Sequence, residues 1–242
     1  MALPDKSKDS AKKVQVEEMF DNISPKYDLL NHLLSANIDK IWRKRAIESL
    51  RSRNPGKILD VATGTGDFAL AAMRLNNAMV TGVDISEGML EIGQSKIEKK
   101  GLSGRIQLQK ADSENLPFGD HLFDAVTVGF GVRNFENLEK GLAEIFRVLR
   151  PGGVLAVLEF SKPRKAPFRQ LYHFYFSHVL PLLGRFISKH SSAYSYLPES
   201  VKEFPDGNDF TVILENTGFV NPEFFPLTFG IATLYLAIKP QN

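Results

Sequence analysis

Residues 58–68 read ILDVATGTGDF. The apolar half, 58–62, is short and bounded by glycine, which predicts a buried strand. Gly64 and Gly66 follow, where the chain needs a tight turn and a ligand can approach the backbone closely. Helical spacing resumes over 68–75. A strand, a glycine loop and a helix in that order predict a doubly wound α/β sheet. Ligands of such sheets bind beyond the carboxyl ends of the strands.

The same alternation continues on the carboxyl side. Apolar runs at 80–83, 123–128 and 154–160 and an alternating stretch at 106–109 predict four more strands, and 89–99 and 138–149 predict helices. Near-continuous apolar strands indicate a mostly parallel sheet covered by helices on both faces. After Phe160 the rhythm stops: residues 161–208 are rich in aromatics and read as helices and loops inserted after the fifth strand. Residues 210–217 form a last helix, with Gly218 as its stop signal. Residues 220–227 and 231–238 flank Thr228-Phe229-Gly230 with no room for a helix, so they predict an antiparallel hairpin.

On the amino side, 14–53 predict two or three helices, with Pro25 breaking the first. Residues 1–13, rich in Lys, Asp and Ser, predict a solvated tail. The expectation is one α/β domain with a seven-stranded sheet. Its parts are an N-terminal helical segment (1–53), a ligand-binding core (54–160), a helical cap (161–208), and a last helix with the terminal hairpin (209–242).

Composition narrows the function. The 242 residues carry 30 Lys and Arg against 28 Asp and Glu, a net charge of +2. That balance lacks the basic footprint of a nucleic-acid binder. With no cysteine, disulfides, thiolate zinc sites and cysteine nucleophiles are excluded, and no metal site is expected. Residues 1–20 lack the apolar segment of a signal peptide, and no run reaches the roughly 18 apolar residues of a membrane span. The most apolar stretch, 174–187, is interrupted by Ser177, His178, Pro181, Gly184 and Arg185. The expected location is the cytoplasm, with peripheral contact at the inner face of a membrane left open.

Acidic residues fall at the ends of the predicted strands. Gly64, Gly66 and Ala69, with Asp84 20 residues beyond Gly64, satisfy a loose dinucleotide fingerprint, so NAD is one reading. Other features favour S-adenosylmethionine. Asp60 can reach the ammonium of a methionine moiety through the loop or a water. Asp67 would set a carboxylate against a pyrophosphate at the helix N-terminus, where phosphate otherwise binds. Asp84 suits two ribose hydroxyls as a charged acceptor. Asp112-Ser113 can read an adenine amino group, and Gly129-Phe130-Gly131 can close over a sulfonium. Each has a plainer alternative: Asp60 as a loop cap, Asp67 as a helix-dipole charge, Asp84 and Asp112 as turn residues.

The sequence resembles the menaquinone/ubiquinone biosynthesis C-methyltransferases, a family with the Rossmann-like class I methyltransferase fold, from about Met19 to Lys239. Tyr27-Asp28-Leu29-Leu30-Asn31 with Leu34-Ser35 and Trp42-Arg43 is one block of the resemblance. The glycine loop with Asp84 is a second. Asn115-Leu116-Pro117-Phe118, Phe123-Asp124 and Phe130-Gly131-Val132-Arg133-Asn134 form a third. The fourth runs from Arg147-Val148-Leu149-Arg150-Pro151-Gly152-Gly153 through Leu158-Glu159-Phe160-Ser161 to Tyr196-Leu197-Pro198-Glu199-Ser200 and Phe204-Pro205. The resemblance implies cofactor contacts at Thr65, Asp84, Asp112, Ser113 and Gly129, and places Arg133 and Asn134 beside an acceptor ring. Two departures stand out: Asp39 where many members have histidine, and Gly129 where many have serine, which leaves only backbone there.

The implied reaction is S-adenosylmethionine-dependent C-methylation of a polyprenylated quinol, with demethylmenaquinol to menaquinol as the leading reading. Methylation of another hydrophobic acceptor and NAD-dependent oxidoreduction are the alternatives. Arg133 would stabilise a developing phenolate as a permanent cation; pairing with an acidic neighbour is its plainer role. Asn134 and Tyr27 complete the expected catalytic set, behind which stand Tyr196, Asp39 and His173, the last, like His178, read mainly as packing. Phe168, Leu171, Tyr172, Phe174, Tyr175, Phe176, Leu182, Leu183 and Phe186 would line a tunnel for the isoprenoid tail or serve as ordinary cap core. Flanking Arg164, Lys165, Arg169, Arg185 and Lys189 would suit anionic headgroups. Homo-oligomerisation is left open.

Overall fold

The computed structural model describes residues 2–35, 37–174 and 192–241. Seven strands form one sheet in the order β3-β2-β1-β4-β5-β7-β6. They are β1 (Lys57–Val61), β2 (Met79–Asp84), β3 (Ile106–Lys110), β4 (Phe123–Gly129), β5 (Leu149–Phe160), β6 (Val220–Leu227) and β7 (Ala232–Ile238). The first five pair in parallel, and β7 runs antiparallel between β5 and β6. This is the expected mostly parallel sheet ending in a hairpin. β1 and β4 lie side by side at the point where the strand order reverses, so a crevice opens above their carboxyl ends.

The helices are α1 (Lys12–Leu34), α2 (Ile38–Leu50), α3 (Asp67–Ala72), α4 (Glu87–Lys99), α5 (Leu138–Val148), α6 (Phe168–Phe174), α7 (Ser192–Glu203) and α8 (Asn208–Thr217). Their ends follow local chemistry. Ser86 and Asn137 cap α4 and α5 by accepting hydrogen bonds from Met89 N and Lys140 N. Gly218, at φ 108°, ends α8 in the left-handed conformation that glycine adopts freely.

Alternate strand residues enter opposite cores, as the period of a strand requires. Leu59, Val61, Val126, Val128, Leu155 and Val157 join Leu142 and Ile145 of α5 and Phe210 and Leu214 of α8. Ile58, Val80, Ala125, Val154 and Leu158 join Trp42, Ile47 and Leu50 of α2, Phe68 of α3 and Ile97 of α4.

Three expectations are corrected. Pro25 lies inside α1, which continues through it. The half before the proline is held by packing: Val16 and Met19 are buried with Ala2 and Tyr196, and Ile23 is buried beyond them. Tertiary contact therefore outweighs the lost backbone bond. Residues 2–13 are not a frayed tail, although 6–11 are exposed. Ala2 and Lys12 are buried, and Gln15 accepts a hydrogen bond from Asp5 N at 3.0 Å. The helix after the glycine loop ends at Ala72, short of Leu75. The aromatic and basic residues from Tyr175 to Lys189 lie outside the described residues.

Candidate active site

A cleft sits over the carboxyl ends of β1, β2 and β4, where ligands of doubly wound sheets bind. Its floor is built from Val61, Ala62 and Gly64 after β1, Val83, Asp84 and Ile85 after β2, and Gly129, Phe130 and Gly131 after β4. Ala111, Asp112 and Ser113 close one end beyond β3, and Asn134 and Phe135 lie at another wall. The roof is α1, through Lys13, Val16, Phe20 and Tyr27. Four of the expected cofactor residues, Asp84, Asp112, Ser113 and Gly129, thus share one cavity with Gly64. Gly64 has φ +55°, and a side chain added there would meet no atom within 4 Å. It would project into the open space of the loop.

Asp84 is held toward the loop. Its oxygens accept from Gly64 N at 2.8 Å and Ser86 N at 3.0 Å. Burial pushes its carboxyl up, and those backbone bonds oppose the shift. Each carboxylate oxygen keeps a further lone pair for a ligand hydroxyl. Asp112 accepts from Lys13 Nζ at 2.7 Å and from Glu114 N at 2.9 Å. Burial works to raise its carboxyl, but Lys13 and the backbone bond together hold it below the usual carboxylate range.

Asp60 is placed differently from the expectation. It is 1% exposed. Its oxygens accept from Thr63 Oγ1 at 2.6 Å and Thr127 Oγ1 at 2.7 Å. The carboxylate braces the loop from beneath and lines neither cavity of the site. Burial raises its pKa to about 6, against the pull of both hydroxyls.

Thr65 and Gly66 lie past the main cavity. Thr65 lines a second, smaller cavity with Tyr27, Arg43, Ala62, Thr63, Gly64, Asp67, Phe68 and Gly129. Thr65 Oγ1 donates to Asp28 Oδ1 at 2.5 Å and accepts from Lys96 Nζ at 3.1 Å. Gly66 lines neither cavity; at φ +77° it turns the chain into α3, and a Cβ there would face Ile97 and Gly93. Gly129 lines both cavities, and a Cβ on it would come within 2.9 Å of Phe68. The glycine at this position therefore matches the ring packed beside it.

Arg133 sits behind the main cleft. Its guanidinium does not line the main cavity. It forms a buried ion pair with Glu159 at 2.8 Å, their side chains 8% and 0% exposed. It also donates to the Phe130 carbonyl and, through Nε, to Ser200 Oγ at 3.3 Å, and it lies over the Phe160 ring. The plainer role, pairing with an acid, is the one observed. Asn134 and Tyr27 do reach the cavity. Asn134 Oδ1 accepts from the Tyr196 hydroxyl at 3.1 Å. Desolvation pushes the Tyr27 hydroxyl up to about 12, with Arg133 and Arg43 pulling the other way. Asp39 is buried, pairs with Arg43 and accepts from Ser35 Oγ.

Sequence reasoning missed Lys12 and Lys13 as parts of the site, because both lay in a stretch read as tail. Lys12 Nζ donates to the Arg133 and Phe135 carbonyls at 3.0 and 2.9 Å. Glu159, Asp28 and Arg43 were inside resemblance blocks, but nothing in their spacing revealed their partners. Among the described residues no group of His, Asp and Glu could hold a metal ion.

The residues fit S-adenosylmethionine. A charged acceptor at Asp84, an apolar slot of Val83, Ile85 and Met89, and an open glycine loop meet its ribose, its base and its sulfonium arm. The fold and site together define a class I S-adenosylmethionine-dependent methyltransferase. A SAM-dependent methyltransferase from Thermotoga maritima superposes with TM-score 0.66 at 18% identity, over 92% of this chain and 99% of that one. Haemonchus contortus phosphoethanolamine N-methyltransferase 2, in complex with S-adenosyl-L-methionine, superposes with TM-score 0.57 at 18% identity, over 76% of this chain and 49% of that one. The model of the ubiE/COQ5 methyltransferase family matches residues 7–239, and the chain belongs to that family. It is 50% identical over 234 residues to the demethylmenaquinone methyltransferase of Bacteroides fragilis, covering 96% of each chain. It is 47% identical over 227 residues to the ubiquinone/menaquinone biosynthesis C-methyltransferase UbiE of Geotalea daltonii, covering 93% of this chain and 96% of that one.

Proposed function

We propose that this methyltransferase adds a methyl group to a ring carbon of a polyprenylated quinol, converting demethylmenaquinol to menaquinol. The observation that carries this reading is the 50% identity to a demethylmenaquinone methyltransferase across 96% of both chains. The largely apolar cleft wall, with Val16, Phe20, Phe130 and Phe135, suits a flat aromatic acceptor.

S-adenosylmethionine, when bound, supplies an electrophilic methyl and a neutral thioether leaving group. The chain's part is to hold the acceptor carbon in line with that methyl. Such positioning can remove about 7–11 kcal/mol of barrier in favourable cases. A ring carbon becomes nucleophilic when the adjacent hydroxyl of the reduced quinone ionises. Once the new carbon–carbon bond forms, the ring proton at that carbon leaves and aromaticity returns. Tyr27, pushed up to about 12, stays protonated at neutral pH and acts as a donor to the phenolate. Asn134 contributes amide N–H groups beside it, its carbonyl oriented by Tyr196. Arg133 and Glu159 act from behind, fixing the turn after β4 on which Asn134 sits. Lys12 adds to this by binding the carbonyls of Arg133 and Phe135.

The acceptor's tail leads toward a membrane surface in this reading. Phe174 and Phe229 are exposed, Phe168 stacks on Phe229 with ring centroids 3.7 Å apart, and Arg164 and Lys165 line the cavity beside that stack. No helix among the described residues is long and apolar enough to cross a membrane, so contact would be peripheral.

Turnover with chemically reduced demethylmenaquinone tests the reaction. The expected product is one methyl heavier, with none formed from the oxidised quinone. Equal turnover of both redox forms refutes the phenolate step, and turnover of neither refutes the substrate.

A further inference from the structure

Beside the stacked rings of Phe168 and Phe229 lies a cavity that shares no lining residue with the methyl-transfer cleft. The loop after β5, the start of α8 and the turn between β6 and β7 enclose it. Its inner side is polar. Ser161, Asp206 and Thr233 are buried there, and Ser161 Oγ donates to the Gly230 carbonyl at 2.8 Å. Its side wall is aromatic, from Phe168, Phe224 and Phe229.

The turn that carries Phe229 is strained. Thr228 and Phe229 both adopt left-handed backbone, at φ 43° and 58°, which is costly for residues with a Cβ. Trp42 Nε1 donates to Thr228 Oγ1 at 2.8 Å and holds the turn in place. The ring so displayed is 66% exposed. Strain that keeps an apolar ring in solvent points to a ligand for that ring.

The rim is cationic. Lys162, Arg164 and Lys165 line the cavity against one carboxylate, Asp206, which pairs with Lys162 at 3.3 Å and Arg164 at 3.6 Å. The sequence extends this imbalance: between Glu159 and Glu199 it has six Lys and Arg and no acidic residue. An uncharged isoprenoid would match the rings but neither the polar inner side nor the rim. A phospholipid of net negative charge matches all three. Its acyl chain suits the rings, its ester oxygens suit the hydroxyls, and its phosphate suits the Arg164 guanidinium.

We propose that this cavity binds one anionic phospholipid, by its headgroup and the first part of an acyl chain. The proposal rests on this face being the one turned to a membrane.

Soluble dihexanoyl phosphatidylglycerol, kept below its micelle concentration, is titrated into isotopically labelled protein and followed by amide shifts in NMR. Dihexanoyl phosphatidylcholine and inorganic phosphate are titrated in parallel. The anionic lipid should shift the Gly207 and Gly230 amides saturably, with the other two at least about tenfold weaker. Arg164 and Lys165 are exposed, so the double variant Arg164→Glu, Lys165→Glu should keep the fold. It should bind the anionic lipid at least about tenfold more weakly. Equal affinity for the two lipids would leave a site for hydrocarbon alone and overturn the proposal. Phosphate binding as tightly as the anionic lipid would leave a free-anion site and overturn it too, as would unchanged affinity in the double variant. Flotation with anionic vesicles, without saturable binding of the monomeric lipid, would remove the site and leave the membrane reading standing. Loss of both flotation and binding would overturn the membrane reading as well.

Discussion

Replacing Arg133 with alanine separates a structural from a chemical role for this residue. The substitution removes one partner of a buried ion pair and leaves Glu159, fully inaccessible, without its cation. Breaking a buried pair in this way costs about 3–5 kcal/mol. The bonds to the Phe130 carbonyl and Ser200 Oγ are lost as well. Against a typical total stability of about 5–15 kcal/mol, the loss is large. Urea unfolding followed by circular dichroism at pH 7.5 should show a clear fall in midpoint. The pH dependence has a definite sign. Burial already raises the Glu159 carboxyl, and Arg133 is the first influence pulling it down. Without Arg133 its folded pKa rises further above the unfolded value, so the penalty is absent in acid and grows as pH rises. The deficit of Arg133→Ala should therefore shrink at pH 5. An Arg133→Met, Glu159→Leu double variant should be more stable than either single truncation, because no charge is left stranded. An unchanged midpoint in Arg133→Ala with turnover abolished would refute this reasoning and return the guanidinium to the chemistry.

Asp60 gives a second pH signature. Its pKa is raised to about 6 by burial, so its ionisation opposes folding above that pH and not below about 4. Wild-type protein should lose up to about 3 kcal/mol relative to Asp60→Asn between pH 4 and 7; parallel stability curves would contradict this. Membrane contact is checked by liposome flotation with and without anionic lipid. Flotation with the vesicles that needs anionic lipid and falls in Phe229→Ser is expected, and absence of binding to either vesicle counts against it.

The sheet was legible because its signals are local. Four of the parallel strands are apolar runs of the right length, β3 alternates, and Thr228-Phe229-Gly230 left no space for a helix between β6 and β7. The acidic strand ends were equally visible, since Asp84 and Asp112 sit where any β–α turn of this fold faces its ligand. What was hidden depends on contacts between distant residues. Pro25 reads as a helix breaker until the packing of Val16, Met19 and Ile23 is known. Lys13 reads as tail until Asp112 is found 2.7 Å from it, 99 residues away. Asp60 looked like a ligand for the cofactor because it adjoins the loop. Only the positions of Thr63 and Thr127 show that its oxygens are turned beneath it. Arg133 matched a catalytic pattern by residue type, and its pairing with Glu159, 26 residues on, was not visible in the sequence.

The placement of β7 sets an order of assembly. β5 lies in the interior of the finished sheet, paired with β4 on one side and with Ala232–Ile238 on the other. As the chain is synthesised from its amino end, every other partner of β5 is made first. Until the last strand emerges, β5 is an unpaired edge built from Val154, Leu155, Ala156, Val157 and Leu158, the kind of flat apolar edge that recruits a second chain. Lys239 then fastens the seam, its ammonium donating to the carbonyls of Phe146 and Leu149 at 2.6 and 2.8 Å. The hairpin that closes the sheet thus also ends the interval in which this edge is open to a second chain.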